Sequence, residues 1–120
     1  PMVGLIPGET RMQPRLMSLG YRLIESPTGN FMLPAGSSAR GHEFHWSTWE
    51  NPLEGITFNV QRSTISPAWR IRPRQGGGEG KPSGYANGNL VASYVHLHFA
   101  SNPQLADNFV QACRAWSGGV

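Results

Sequence analysis

The segment from Leu90 to Phe99 constrains the fold of this chain most strongly. It reads LVASYVHLHF, a nearly continuous apolar run that contains two histidines. A run of this kind predicts a buried β-strand. Because side chains alternate across a strand, Tyr94, His96 and His98 are expected on one face. Imidazoles are costly to bury without partners, so the pattern predicts a polar site at the surface or end of a sheet.

Further short strands are expected along the rest of the chain. The candidates are residues 2–6, 19–25, 31–33, 40–47, 57–60 and 69–72. Within the fourth candidate, RGHEFHWS, Glu43 and His45 share one face while His42 and Phe44 share the other. A hairpin turn at Asn87-Gly88 should lead into the histidine strand, because both positions tolerate positive φ.

One helix is predicted near the end of the chain. Asn102 is a suitable N-cap, Pro103 suits the first helical position, and the glycines after Ser117 end the helix. The residues at helical spacing that should form its core face are Leu105, Phe109, Ala112, Cys113 and Trp116. Cys113 is therefore expected to be a structural thiol, because a reactive one needs an electropositive and partly open setting.

Composition limits the class of protein. With 120 residues the chain is one domain or less, and its 15 glycines and 10 prolines favour turns and short strands. The net charge of +3 comes without a continuous Lys/Arg run, so no nucleic-acid partner is expected. Arg70, Arg72 and Arg74 alternate on a strand that Pro73 should confine to a sheet edge. A single cysteine and no membrane-spanning run predict a cytoplasmic location.

Five motifs follow each other in order along the chain: MVGLIPG (2–8), LGYR (19–22), RGHEFHWS (40–47), ASYVHLHF (92–99) and SNP (101–103). Together they resemble the C-terminal glutamine amidotransferase domain of the cobyrinic acid a,c-diamide synthase family. The resemblance implies a flavodoxin-like, three-layer α/β amidotransferase domain, of which residues 1–120 form the β-rich C-terminal part with one helix. Because a predicted strand opens the chain at once, we expect a piece of a longer protein, separate from the nucleophile segment and the ATP-binding domain.

The resemblance also implies roles for individual residues. His96 matches the family's catalytic histidine, which acts as base for a cysteine thiolate and then as acid for the leaving ammonia. His98 stands where many class I members carry an orienting glutamate. Glu43 and His45 either support His96 and the glutamine pocket or simply satisfy each other. The family's nucleophile lies in an earlier Glu-Cys-Gly-Gly-like turn, which Cys113 does not match.

A parent enzyme of this family would use ATP and Mg²⁺ to amidate the a and c carboxylates of cobyrinic acid, in cobalamin biosynthesis, with ammonia from glutamine. The resemblance to this ligase implies glutamine and a corrin carboxylate as substrates. The chain itself would hold no cofactor and no metal, would have no membrane partner, and would dock on the rest of its own polypeptide. Alone, it should be inactive.

A different class of function stays open on the residues, a small β-rich metal-binding module without catalysis. His96 and His98 on one face, together with His42, Glu43 and His45, contain suitable ligands. However, H-E-x-H is one residue short of the zinc-protease spacing, and no glutamate follows the second histidine as a cupin-like site would require.

A phosphate-binding loop is not indicated. Near Gly80-Lys81 the pattern fails, because Gln75 replaces its first glycine and Pro82 follows the lysine.

Overall fold

The computed structural model describes residues 3–50, 67–75, 78 and 80–118. Its elements are β1 (Glu9–Met12), β2 (Ser18–Ser26), β3 (Ser37–His45), β4 (Ser47–Glu50), β5 (Trp69–Ile71), β6 (Lys81–Ser83), β7 (Tyr85–Asn87), β8 (Leu90–Ala92), β9 (His96–Leu97), a 3-10 turn (Phe99–Ser101) and α1 (Gln104–Gly118). The expected composition of strands with one C-terminal helix is confirmed for this part of the chain. The strand predicted at 57–60 lies outside the described residues.

An antiparallel sheet of five strands, in the order β6-β5-β2-β3-β9, forms the centre of the structure. Its longest contact is the β2–β3 hairpin, paired without interruption from Ser18↔His45 to Ser26↔Ser37. The smaller ladders β1–β4 and β7–β8 lie outside this sheet. The predicted strands at 19–25 and 69–72 are confirmed, as is the one at 40–47 up to His45, where a break precedes β4.

The loop between β2 and β3 is organised by Asn30. Its side-chain oxygen accepts hydrogen bonds from the backbone N–H groups of Met32 (3.0 Å) and Leu33 (3.1 Å), and its amide donates to the Ala68 carbonyl at 2.8 Å. A short polar side chain that bonds its own backbone in this way favours a turn. Residues 31–33 are therefore a turn and not the predicted strand, and this turn buries Met32 and Leu33.

The hydrophobic core lies on one face of the sheet. Its fully buried side chains include Ile24 of β2, Trp69 of β5, Leu33 of the loop and Leu105 of α1. Burial of such side chains supplies roughly 1.5–3 kcal/mol each before the entropy cost of ordering them. The core therefore joins the sheet to the start of the helix.

The helix begins as predicted but packs on a narrower face. Asn102 Oδ1 accepts from the Gln104 N–H at 3.1 Å, which is a capping contact. Leu105 is buried, whereas Phe109 is 50% exposed, Trp116 is 71% exposed and Cys113 is also exposed. The expectation that all five apolar positions face the core is wrong, because Leu105 is buried and Ala112 is half-buried while the other three are exposed. Cys113 is thus not a buried structural thiol in this structure.

Three other local predictions are wrong in detail. Residues 3–6 are exposed and residues 4–6 form bends, so the first strand starts only at Glu9. The predicted hairpin forms, but Asn87 pairs with Leu90, which places the turn one residue later, at Gly88-Asn89. The arginine-bearing strand β5 is interior because β6 and β2 flank it, and Pro73 lies beyond its end.

No helix within the described residues is long and apolar enough to cross a membrane.

Candidate active site

The histidine segment does not form one continuous strand. It is divided into β8 and β9 by residues 93–95. Ser93 Oγ accepts hydrogen bonds from the Val95 N–H at 2.9 Å and from Trp69 Nε1 at 3.2 Å, which fixes a local turn. The turn breaks the two-residue alternation, so Tyr94 and His96 reach opposite faces of the sheet. The predicted buried strand with three aligned polar side chains is therefore wrong.

His96 lies on the outer face of the sheet, away from the core. The two-residue strand β9 pairs His96 with His42 of β3. The two imidazole rings are stacked, with centroids 4.9 Å apart and planes inclined by 15°. Both histidines are exposed. Phe44, also exposed, is the next residue of β3 on the same face. The structure thus forms a histidine pair that is open to solvent.

A hydrogen bond favours one tautomer of the His96 ring. Its Nδ1 lies 3.3 Å from the backbone carbonyl oxygen of His42. A carbonyl can only accept, so Nδ1 must carry the proton in this contact. In the neutral ring Nε2 then holds the lone pair, which is the arrangement that a general base requires.

Gly41 allows β9 to approach this closely. A Cβ built at Gly41 would stand 2.3 Å from the His96 carbonyl oxygen and 2.9 Å from a methyl carbon of Val95. Any larger residue would force β9 away from β3. The RGHEFHWS motif therefore requires glycine at position 41 for a steric reason, since a side chain there would displace His96.

Glu43 faces the opposite side of the sheet. It is 8% exposed, and one carboxylate oxygen, Oε2, accepts from Ser18 Oγ at 2.5 Å and from Arg22 Nε at 3.1 Å. Arg22 also donates to Ser18 Oγ at 2.8 Å, which closes a three-residue network. Paired and hydrogen-bonded charges of this kind can be buried without a large penalty. The structure does not bring Glu43 to His96.

His45 is on the inner side with Glu43. Its ring stacks on Tyr94 at a centroid distance of 3.8 Å and an angle of 8°. His45 Nδ1 donates to the Ser47 carbonyl at 2.8 Å, and the Ser47 and Tyr94 hydroxyls are 2.7 Å apart. Glu43 and His45 are thus held by different partners, Glu43 by Ser18 and Arg22, and His45 by Ser47 and Tyr94.

The inner residues line a cavity of about 630 Å³. Polar side chains on its wall include Ser18, Arg22, Glu43, His45, Lys81 and Tyr94. The cavity therefore lies on the side of the sheet to which Glu43 points, whereas His96 belongs to the other side. Such a polar hollow suits a hydrophilic group, but it does not expose that group to the His96 ring.

His98 is exposed, and its contact is made by the backbone. Its N–H donates to the Arg40 carbonyl at 2.8 Å. Within the described residues no hydrogen bond of its side chain is found. Of the four residues predicted for the site, the structure thus brings none of the three supporting candidates into contact with the His96 ring.

The metal-binding alternative gains no support from this placement. Its ligand set is divided, since His42 and His96 occupy the outer face while Glu43 and His45 occupy the inner one. Among the residues that the structure describes, no group of three His, Cys, Asp or Glu side chains could hold a metal ion. A metal site needs donors that converge on one point, and these do not.

Sequence reasoning missed His42 as the neighbour of His96. The alternation within β3 correctly separated His42 and Phe44 from Glu43 and His45. What was missing was the register between β3 and β9, since nothing local in either segment specifies that His42 faces His96. Ser18 and Arg22 were missed for the same reason, because their role depends on the register of β2 against β3.

The chain belongs to the CobB/CobQ-like glutamine amidotransferase domain family, whose model matches residues 1–104. Among curated proteins, it is 41% identical over 114 residues to the cobyrinate a,c-diamide synthase of Priestia megaterium, covering 95% of this chain and 22% of that protein.

Two further relatives carry the same name. The protein of Thermoplasma volcanium is 38% identical over 98% of this chain and 23% of its own length, and that of Syntrophotalea carbinolica is 40% identical over 97% and 24%. The chain thus spans about a quarter of the length of these relatives. No solved structure matches it significantly.

Proposed function

We propose that this chain supplies the catalytic histidine, His96, of a glutamine-hydrolysing site. In this role His96 Nε2 takes the proton from a cysteine thiol, and the thiolate attacks the side-chain amide of glutamine. The imidazolium then returns the proton to the departing ammonia. Family membership supports the reaction class. The observation that carries the assignment is the His96 ring, exposed on the outer face with Nδ1 bonded to the His42 carbonyl.

The nucleophile in this proposal belongs to the rest of the parent enzyme. Cys113 is exposed on α1, next to Arg114, and does not stand in the glycine-rich turn that the family resemblance implies. We infer that residues 1–120 form the C-terminal part of a single amidotransferase domain with a flavodoxin-like, three-layer α/β architecture. The nucleophile turn would lie in the part of that domain before this chain.

The outer face of the sheet is the proposed contact with that part. Its exposed apolar side chains are Leu19 (64%), Tyr21 (84%) and Phe44 (57%), which surround the pair of histidines in the β2–β3–β9 register. Exposed apolar groups in contiguous positions on one sheet face are typical of an interface. Covering this face with the nucleophile segment would bring the thiol to His96 and exclude water from both.

The parent activity that we propose is ATP-dependent amidation of the a and c carboxylates of cobyrinic acid, and the relatives' name, cobyrinate a,c-diamide synthase, supports the substrate and the product. This makes the parent a ligase of cobalamin biosynthesis in the cytoplasm, with glutamine and a corrin carboxylate as substrates. Among the described residues Lys81 does not form a phosphate-binding loop for ATP and Mg²⁺, because it lies in β6 and not in a glycine-rich loop before a helix. They would be held by the remainder of the parent enzyme.

The test is the nitrogen source of the full-length enzyme. In His96→Ala, amidation driven by glutamine should fall by about 10²–10⁴-fold, because the general base is lost. Amidation driven by free ammonia should stay near the parent rate, since ammonia bypasses the glutaminase step. Equal losses with both nitrogen donors, in a protein shown to be folded, would refute the proposed role.

The isolated chain gives a second check on the same proposal. A histidine base without its thiolate has nothing to activate, so the 120-residue chain should release no ammonia from glutamine above a buffer blank. Release that disappears in His96→Ala would show that the chain contains a nucleophile of its own.

A further inference from the structure

We propose that His42 is the positioning residue of His96, through its backbone carbonyl and its ring together. This inference rests on the proposed function in one respect, namely that His96 is the base. The proposal assigns the role of orienting the His96 ring to His42, because His98, at the position of the orienting glutamate in many class I members, does not contact that ring. His42 itself need not touch the substrate.

The carbonyl of His42 performs the first part of this role. In a Ser-His-Asp triad a carboxylate accepts the Nδ1 proton and thereby keeps Nε2 free as the base. Here the His42 carbonyl oxygen occupies the accepting position, 3.3 Å from His96 Nδ1. A neutral carbonyl fixes the tautomer and the direction of the ring in the same way. It differs from a carboxylate in adding no negative charge beside the imidazolium.

The ring of His42 performs the second part. Two imidazoles whose planes differ by only 15° and whose centroids are 4.9 Å apart restrict each other's rotation. The torsion about the ring bond is otherwise broad for histidine. Because both residues are exposed, the stack has little to do with the hydrophobic core. Its main effect is therefore on the direction in which His96 Nε2 points.

The other candidates for this role are excluded by their own contacts. Glu43 is engaged by Ser18 and Arg22, and His45 by Ser47 and Tyr94, all on the inner side of the sheet. His42 is held in the β2–β3 ladder opposite Tyr21, so its backbone carbonyl is fixed independently of its side chain. A substitution at position 42 can thus remove the ring and leave the carbonyl in place.

The tautomer of His96 tests the carbonyl contact directly. In the full-length enzyme labelled with ¹⁵N-histidine, the ring signals of His96 are assigned by their loss in His96→Gln. At mildly alkaline pH the neutral ring should carry its proton on Nδ1. The exposed neighbour provides the matched control, since His98→Gln should leave this pattern unchanged. A proton on Nε2 of His96 in the unmodified enzyme would overturn the proposal.

Activity tests the ring. His42→Ala should lower kcat for glutamine by about tenfold to a hundredfold, with little change in KM, because misplacement of a catalytic group mainly affects the reacting geometry. His42→Phe, which keeps a flat ring for stacking, should recover most of this loss. Ammonia-dependent amidation should be unaffected in both variants. A wild-type kcat in His42→Ala, or a His42→Phe variant no better than alanine, would overturn the role of the ring.

These results remain distinct from a failure of the proposed function. If His96→Ala does not separate glutamine from ammonia, the base assignment fails whatever the tautomer is. If His96→Ala does separate them but His96 carries its proton on Nε2, the function stands and the positioning role of His42 falls.

Discussion

The polar residues on the two faces of β3 differ in their exposure and in their bonding partners. On the inner face Glu43 and His45 are bound by hydrogen bonds, an ion pair and a stacked tyrosine. On the outer face His42 and His96 stack on each other in the open, beside the exposed side chain of Phe44. The inner residues of the motif thus have their polar groups bonded within the protein, whereas the outer histidines are exposed to solvent.

This difference indicates that the inner residues of the motif stabilise the fold and that the outer residues are suited to catalysis. A buried carboxylate that already accepts two hydrogen bonds is suited to holding strands together. An exposed imidazole with one nitrogen fixed and the other carrying a lone pair is suited to proton transfer. We therefore expect substitutions on the inner face to change folding and substitutions on the outer face to change catalysis.

The strongest way to break this comparison is Glu43→Ala. Removing one partner of a buried pair leaves the Arg22 charge without compensation, and Arg22 retains only 19% side-chain exposure. The free energy of unfolding should fall by about 3 kcal/mol. Urea unfolding of the 120-residue chain measures this. The exposed pair in β1 gives the control, because Glu9→Ala removes a partner of Arg11 that is in solvent and should matter little.

A Glu43→Ala variant that is as stable as the unsubstituted chain would contradict the structural role of the inner face. Glu43→Gln sharpens the test, since an amide oxygen can still accept from Ser18 and should restore part of the stability.

Gly41→Ala should have the next largest effect on stability. It should also affect the outer face, because Gly41 lies against the backbone of His96. The new methyl group would meet the His96 carbonyl at 2.3 Å and push β9 away. Overpacking of this kind costs about 1–3 kcal/mol. Thermal unfolding measures the loss, and the His96 ring signals should change with it. Ser38→Ala, at an exposed position of the same strand, serves as the control. Unchanged ring signals in Gly41→Ala would argue against the close approach of the two strands.

His98→Ala should have the smallest effect. Its side chain is exposed and its recorded contact is a backbone bond to Arg40, which alanine retains. The free energy of unfolding should change by no more than about 0.5 kcal/mol. The glutamine-dependent rate should fall less than in His42→Ala. A larger loss of rate in His98→Ala than in His42→Ala would return the orienting role to His98.

Much of the fold was predictable because its signals are local. The alternation in β3 and the Asn102-Pro103 start of α1 each depend on neighbouring residues, and both are confirmed. The helix face was not predictable in the same way. Helical spacing identifies apolar positions such as Phe109 and Trp116, but it does not say how far along the helix the core extends.

The site was predictable only in part because its geometry is non-local. The sequence predicts His96 as the base, and this stays a prediction; the surroundings of His96 depend on a turn made by Ser93 and on a register between β3 and β9. Ser93 Oγ gains its second donor from Trp69, 24 residues earlier. A continuous apolar run therefore looked like one strand, although a single hydroxyl interrupts it and turns Tyr94 to the other face.

The most direct test of the central claim measures activation of the nucleophile itself. An electrophilic analogue of glutamine alkylates the catalytic thiol of the full-length enzyme, and intact mass follows the rate. His96→Ala, on the outer face, should slow this labelling by about a hundredfold or more, because the thiol loses its base. His45→Phe, which keeps a ring against Tyr94 on the inner face, should label at the parent rate. Equal labelling of His96→Ala and the parent enzyme would contradict the account.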